Sequence, residues 1–294
     1  MNKITIKNGN NKYDITINRV KYVFSSNQDE FKIKQSFRNY FSKNKSEFRK
    51  ENGNSNKVLF NDKDLDVKRT LFVEINSDFS INEDCKLNSK SLILKYLELR
   101  LQDMEYFDTI NTINLLFESL SEELKDENGL NTLFDAMDYK HLSKLINPYY
   151  FDELQKDEYD LTFEELLLFQ IKLIKYISLN NNFYEYIIVF IDLDEVTQNL
   201  IQQINSLLNC YVICFSKNYV LEMSDDAAII ENEVFDLSNI EEVYAYFYQK
   251  SSNILPIEEV RLYMKQYIID KYTYKKIDII DELIKDMVVN KLNI

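Results

Sequence analysis

Tyr22-Val23-Phe24-Ser25-Ser26-Asn27-Gln28-Asp29-Glu30-Phe31 reads as an apolar strand, a short polar loop and the start of a helix. This is where a nucleotide-binding fold would keep its phosphate-cradling loop. Such a loop needs glycines, so that backbone N–H groups can approach the phosphates, and a Lys-Ser/Thr pair for charge and Mg²⁺. The 294-residue chain has three glycines, Gly9, Gly53 and Gly129, none of them here, and no such pair opens the helix. A second segment, Ile187-Ile188-Val189-Phe190-Ile191-Asp192-Leu193-Asp194-Glu195, is an apolar run ending in acids. That is the shape of a strand holding a Mg²⁺ carboxylate. Together the two segments predict a nucleotide-hydrolase scaffold that lost its nucleotide loop and changed its job.

Outward from the first segment, Ile4, Ile6, Ile15 and Ile17 alternate with polar residues around Asn8-Gly9-Asn10, a hairpin signal. Val20 to Phe24 is a strand and Phe31 to Phe41 an amphipathic helix; Lys43 to Lys57 is polar and reads as a surface loop. Val58 to Phe60 and Thr70 to Ile75 are further strands. From Ser89 to Leu124 the period changes, with Leu92, Tyr96, Leu99, Met104, Phe107, Ile110, Ile113, Leu116, Phe117 and Leu120 on a helical stripe. A second long helix runs from about Leu161 to Leu179, where Thr162 and Glu165 form a capping-box pattern. Strand signals return at Tyr186 to Ile191, Cys210 to Phe215 and Ala227 to Phe235. Helices are expected at Glu195 to Leu208, Ile240 to Lys250 and, after Pro256, Ile257 to Val289. The alternation makes the fold class α/β. It divides into 1–88 and 181–250, an inserted helical region 89–180, and a helical C-terminal extension 251–294.

With 45% apolar residues the chain can bury a proper core. No signal-peptide pattern and no long apolar run is present, which predicts a cytoplasmic protein, neither exported nor membrane-spanning. Three cysteines without a CxxC fit reduced thiols, with Cys210 and Cys214 expected as packed hydrophobes. The net charge of −14 is uneven. Residues 1–70 hold sixteen Lys/Arg against eight Asp/Glu, a net of +8, so the remainder carries −22. A polyanion would be repelled unless the positive charge were gathered on one face.

The N-terminal helix offers that face. At about 100° per residue, Lys34, Arg38, Lys45 and Arg49 project within a sector of about 60° if the helix continues that far. Lys32, Lys43 and Lys50 add charge nearby, and these seven bases share the stretch with Glu47 alone. Phosphate backbones are bound in this way, by charge without sequence reading; a solvated lysine-rich surface is the alternative. Asp192, Asp194 and Glu195 could hold a divalent cation, or Asp194 could cap the following helix with Glu195 beside its dipole. Glu195 as a hydrolytic base is a third reading. His141, the only histidine, has no nucleophile pattern near it and reads as structural or surface. The tyrosines from Tyr244 to Tyr274 read as packing or subunit contacts.

Three stretches carry a family resemblance: Ser89-Lys90-Ser91-Leu92-Ile93-Leu94-Lys95-Tyr96-Leu97, Leu161-Thr162-Phe163-Glu164-Glu165-Leu166-Leu167-Leu168 and Tyr186-Ile187-Ile188-Val189-Phe190. With the element order of residues 1–250, the chain resembles the DNA-end-binding subunit of type II-A CRISPR adaptation, the Csn-two family in its longer form. The resemblance implies a degenerate ABC-ATPase-like head that binds no ATP, with a helical leg. It further implies a homotetrameric ring whose lysine-lined hole admits double-stranded DNA ends, supported by calcium. Its implied partners are the adaptation integrase and the type II effector nuclease. Two other classes stand beside it: a nucleotide hydrolase using Asp192 and Glu195, and an acidic protein-interaction scaffold. The acidic strand end at Asp192 departs from the shorter members of the family.

Overall fold

Ile4 and Ile6 alternate with Thr5 and Lys7, so one side of the first strand is apolar and the other polar. That strand, β1 (Asn2–Asn8), pairs antiparallel with β2 (Asn11–Ile17). Gly9 lies between them in the left-handed region at φ 58°, where a side chain would be strained. β4 (Lys57–Phe60) takes the other side of β1, after β3 (Val20–Ser25) in the chain, and β5 (Lys63–Asp64) closes a four-stranded sheet of order β2-β1-β4-β5. The computed structural model describes residues 1–9, 11–42, 56–125, 129, 131–151, 156–231, 233–250 and 255–272.

The larger sheet adds β6 (Thr70–Ile75), β7 (Tyr186–Leu193), β8 (Tyr211–Ser216), β9 (Ala227–Glu231) and β10 (Glu233–Asp236) to β3. Its order is β10-β9-β3-β8-β7-β6. All neighbours are parallel except the β9–β10 hairpin. Strands covered on both faces read as continuous apolar runs, as β7 does. On one face α1 (Asn27–Phe41) and the smaller sheet bring Ile33, Phe37, Ile6 and Val58 against Ile188, Phe190 and Phe215. On the other face Val189, Val212 and Cys214 meet Leu92 of α3 (Leu92–Arg100), Ile174 of α6 (Phe163–Asn180) and Ile201 of α7 (Gln198–Asn205). Among the described residues the fold is therefore mixed α/β, and no helix is long and apolar enough to cross a membrane.

A buried ion pair ties the sheets together. Lys21 is 1% exposed, and its Nζ donates to Asp236 Oδ1 and Ser238 Oγ, both at 2.8 Å. Asp236 Oδ2 accepts from the Thr16 backbone N–H at 3.1 Å, and Oδ1 from that of Ser238 at 2.9 Å. One carboxylate thus links β3, β10 and β2.

Several expectations shift. The N-terminal helix starts at Asn27, because the Ser26 Oγ caps it by accepting from the Asp29 N–H at 3.1 Å. The stripe from Ser89 to Leu124 is broken: α3 ends at Arg100 and α4 (Met104–Glu123) starts anew after Asp103. Ala227 to Phe235 is a hairpin of two strands rather than one. The helix expected at Glu195 begins at Gln198, because the Thr197 hydroxyl caps it by accepting from the Leu200 N–H at 3.1 Å. The Thr162–Glu165 capping box is present at the start of α6, and α8 (Ile240–Lys250) has the expected bounds. α9 is described over Ile257–Tyr272; the rest of the expected helix to Val289, like the loop residues 43–55, lies outside the described residues.

Candidate functional site: the strand–helix junction beside β7

β3 ends at Ser25 and α1 begins at Asn27, which leaves Ser26 alone between strand and helix. A phosphate cradle needs several residues there, with their N–H groups turned inward. Here Ser26 Oγ donates to Asp29 Oδ2 at 2.8 Å, and the Tyr13 hydroxyl donates to Asp29 Oδ1 at 3.0 Å. The junction is closed on itself by side chains.

Beside it runs a chain of alternating charges. Lys217 Nζ donates to the Ser25 carbonyl at 3.0 Å and to Glu30 Oε2 at 2.6 Å. Lys34 Nζ donates to Glu30 Oε1 at 2.6 Å and meets Asp192 Oδ1 at 2.5 Å, lying 4.8 Å from the Phe215 ring centroid. Parity explains the meeting: Ile188, Phe190 and Asp192 share the face of β7 that α1 covers.

The two carboxylates respond differently. Burial raises both, but at Glu30 the hydrogen bonds from Lys217 and Lys34 overturn that cost and hold the carboxyl below its ordinary range. At Asp192 burial prevails: Lys34 offsets part of it, while Glu30 and Glu74 push the carboxyl further up. Lys34 is shared between two acids, and only Glu30 has a second ammonium. The geometry and the two directions agree on a network whose ammonium groups are already committed.

Of the seven bases expected to contact phosphate, Lys43, Lys45, Arg49 and Lys50 lie outside the described residues. Lys34 is corrected: it is 8% exposed and committed to Glu30 and Asp192, so it presents no free charge. Arg38 is exposed, but its Nε donates to both oxygens of Glu74, at 3.0 and 2.8 Å. Lys32 is half-buried, with Asp29 at 4.0 Å.

The acidic strand end is corrected too. Asp192 faces Lys34, whereas Asp194 and Glu195 stand at a cleft of about 320 Å³ shared with Val196, Asn218, Tyr219 and Val220. Asp194 caps no helix, since Thr197 has that role. No group of three or more metal-ligating side chains is gathered among the described residues, and an ammonium already fills the charge at Asp192, so this strand end does not fit a divalent cation. Cys210 and Cys214 are buried in the core. His141 is exposed, with Nδ1 at 2.8 Å from Asp138 Oδ1. Lys217 and Glu30 were missed at the sequence level: Lys217 sits 187 residues from its partner, and nothing local marks it.

No family model matches this sequence, and no curated protein does. The fold is similar to the crystal structure of Stu0660 of Streptococcus thermophilus, with TM-score 0.61 and 15% identity over 90% of this chain and 84% of that one. The recombination mediator protein RecF aligns over 80% of this chain and 97% of its own at 13% identity, with TM-score 0.38, a likeness too loose to bear on the fold.

Proposed function

We propose that the chain is a non-catalytic, double-stranded-DNA end-binding protein of CRISPR spacer acquisition. It acts in the cytoplasm as a homotetrameric ring beside the adaptation integrase and the type II effector nuclease. The observation that carries this reading is the strand–helix junction, where Ser26 alone stands between strand and helix and Glu30 takes the ammonium groups of Lys34 and Lys217. A junction of one residue offers no glycine-lined cradle for a triphosphate, which supports a degenerate ABC-ATPase-like head without catalysis. The basic balance of residues 1–70 and the resemblance in element order supply the DNA side of the reading.

Assembly has support in α4. Met104, Leu115 and Leu116 are 85%, 63% and 65% exposed, and Ser121 is the one buried residue of that helix. Large apolar side chains left in water are what a subunit contact would cover. Calcium enters through the resemblance alone; the described residues offer no ligand set for it, so no step runs through it.

The deciding experiment is a gel shift of linear against covalently closed circular duplex of equal length, at low salt with calcium. Binding to the linear form alone is expected, since a ring threads over ends. Equal retardation of both forms would replace the ring with an open groove, and retardation of neither would end the DNA reading. In parallel, titration calorimetry with Mg–ATP is expected to give no binding heat. Tight binding would favour the rival hydrolase built on Asp192 and Glu195.

A further inference from the structure

The smaller sheet turns Ile4, Ile6, Tyr13, Ile15, Val58 and Phe60 inward. Its other face carries a charge pattern that stability does not ask for. In the β1–β2 ladder Lys7 stands opposite Lys12, and in the β1–β4 ladder the same Lys7 stands opposite Lys57. The three lysines form one row across three strands, and all three are exposed. Neighbouring strands lie about 4.8 Å apart, and like charges placed directly opposite each other destabilise a sheet.

Neutralisation on this face is incomplete. Asp14 takes Lys12 at 2.7 Å and Lys3 at 2.9 Å, and also accepts from the Thr5 hydroxyl at 2.7 Å, so one carboxylate serves two ammonium groups. Asp64, the other acid of these ladders, stands opposite Leu59, one row and one strand away. Lys7 and Lys57 have no acidic partner among the described residues. Two uncompensated lysines at directly opposed positions, on a core-backed sheet, amount to a repulsion built into the fold. A bound polyanion would relieve it.

We propose that this face is a phosphate-binding surface for duplex DNA, centred on the row Lys12–Lys7–Lys57. The assignment rests on the DNA reading above and moves the contact from α1, where Lys34 is sealed, to the sheet. Lysines on a pleated surface present point charges along a line, which suits a phosphate backbone and reads no base. The strands hold the backbone of the row rigid, so the ordering on binding is confined to the lysine side chains.

The test is the full chain carrying Lys7→Gln and Lys57→Gln, titrated by fluorescence anisotropy against a linear duplex between about 50 and 200 mM salt. Each lysine–phosphate pairing removed lowers the slope of log K against log salt by about 1, so a fall of about 2 is expected, with binding weakened roughly tenfold or more. The melting temperature should hold or rise, because repulsion is removed. Parent binding with an unchanged slope in the variant overturns this assignment and leaves the DNA reading standing. A variant that loses binding together with stability also overturns it, since the row would then be structural. A parent that binds no duplex ends the DNA reading and this assignment with it.

Discussion

Replacing Lys21 with methionine is expected to cost about 3–5 kcal/mol of folding stability, the usual penalty for leaving one partner of a buried ion pair uncompensated. Lys21 and Asp236 are 1% and 5% exposed, so water cannot take over the lost ammonium. Asp236 would keep its bonds from the Thr16 and Ser238 N–H groups, but these are neutral donors. The companion Lys21→Met/Asp236→Asn removes both charges but keeps an oxygen for only one of those N–H groups, which bond different oxygens of Asp236. It should recover part of the loss, because an ion pair replaced as a unit is often neutral while one N–H is left facing the amide nitrogen. Urea unfolding at neutral pH measures both variants. A single variant within about 1 kcal/mol of the parent would show that the pair is dispensable.

Lys34→Met is the second large effect, at about 3 kcal/mol near pH 7. Methionine keeps the packing against Phe215 and removes the charge shared by Glu30 and Asp192. Glu30 would retain Lys217, whereas Asp192 would be left with burial and the repulsion of Glu30 and Glu74. The pH dependence follows from the two shifts. Glu30, held below its ordinary value of 4.5, contributes stability that is present above that value and fades as the pH falls. Asp192, raised above 3.8, works the other way: taking up its proton as the pH falls favours the fold. The deficit of Lys34→Met should therefore shrink as the pH falls, first as Asp192 takes up its proton and then, below 4.5, as Glu30 follows. Unfolding curves at pH 7 and pH 4 test this, and an equal deficit at both would deny the charge network its role. Charge reversal at Lys34 would be a stability experiment rather than a DNA-binding one.

Much of the fold was legible because local chemistry fixed it. Ile4, Ile6, Ile15 and Ile17 announced the hairpin, the apolar run at Ile187–Ile191 a strand covered on both faces, and Thr162 with Glu165 the start of α6. Boundaries failed where a hydroxyl cap outranked periodicity, as at Ser26 and Thr197. The split of Ala227–Phe235 was legible but overlooked, because Glu231-Asn232-Glu233 interrupts the apolar run with a polar stretch. The empty phosphate loop was readable from missing glycines. What replaced it was not, because Lys217 reaches Glu30 only through the order in which strands pair. Helical projection likewise placed Lys34 among free bases, while the parity of β7 turned Asp192 toward it. The lysine row was hidden for the same reason: Lys7, Lys12 and Lys57 become neighbours only once β4 is known to join β1.

β3 lies near the middle of the larger sheet, and the strands on its two sides come from residues 211–216 and 227–231. Tyr22 is registered against Cys214 and Ala227, so no ladder bond of β3 can form until those late residues exist. At about 5–20 residues per second of synthesis, this strand emerges roughly ten to forty seconds before its partners. Contacts of such long sequence separation also slow refolding of the finished chain. Until the late strands arrive, Val20–Phe24 is an unpaired apolar edge. In the cell, the hairpin, α1 and whatever chaperone meets the nascent chain must guard it, and aggregation during synthesis is the hazard that this topology carries.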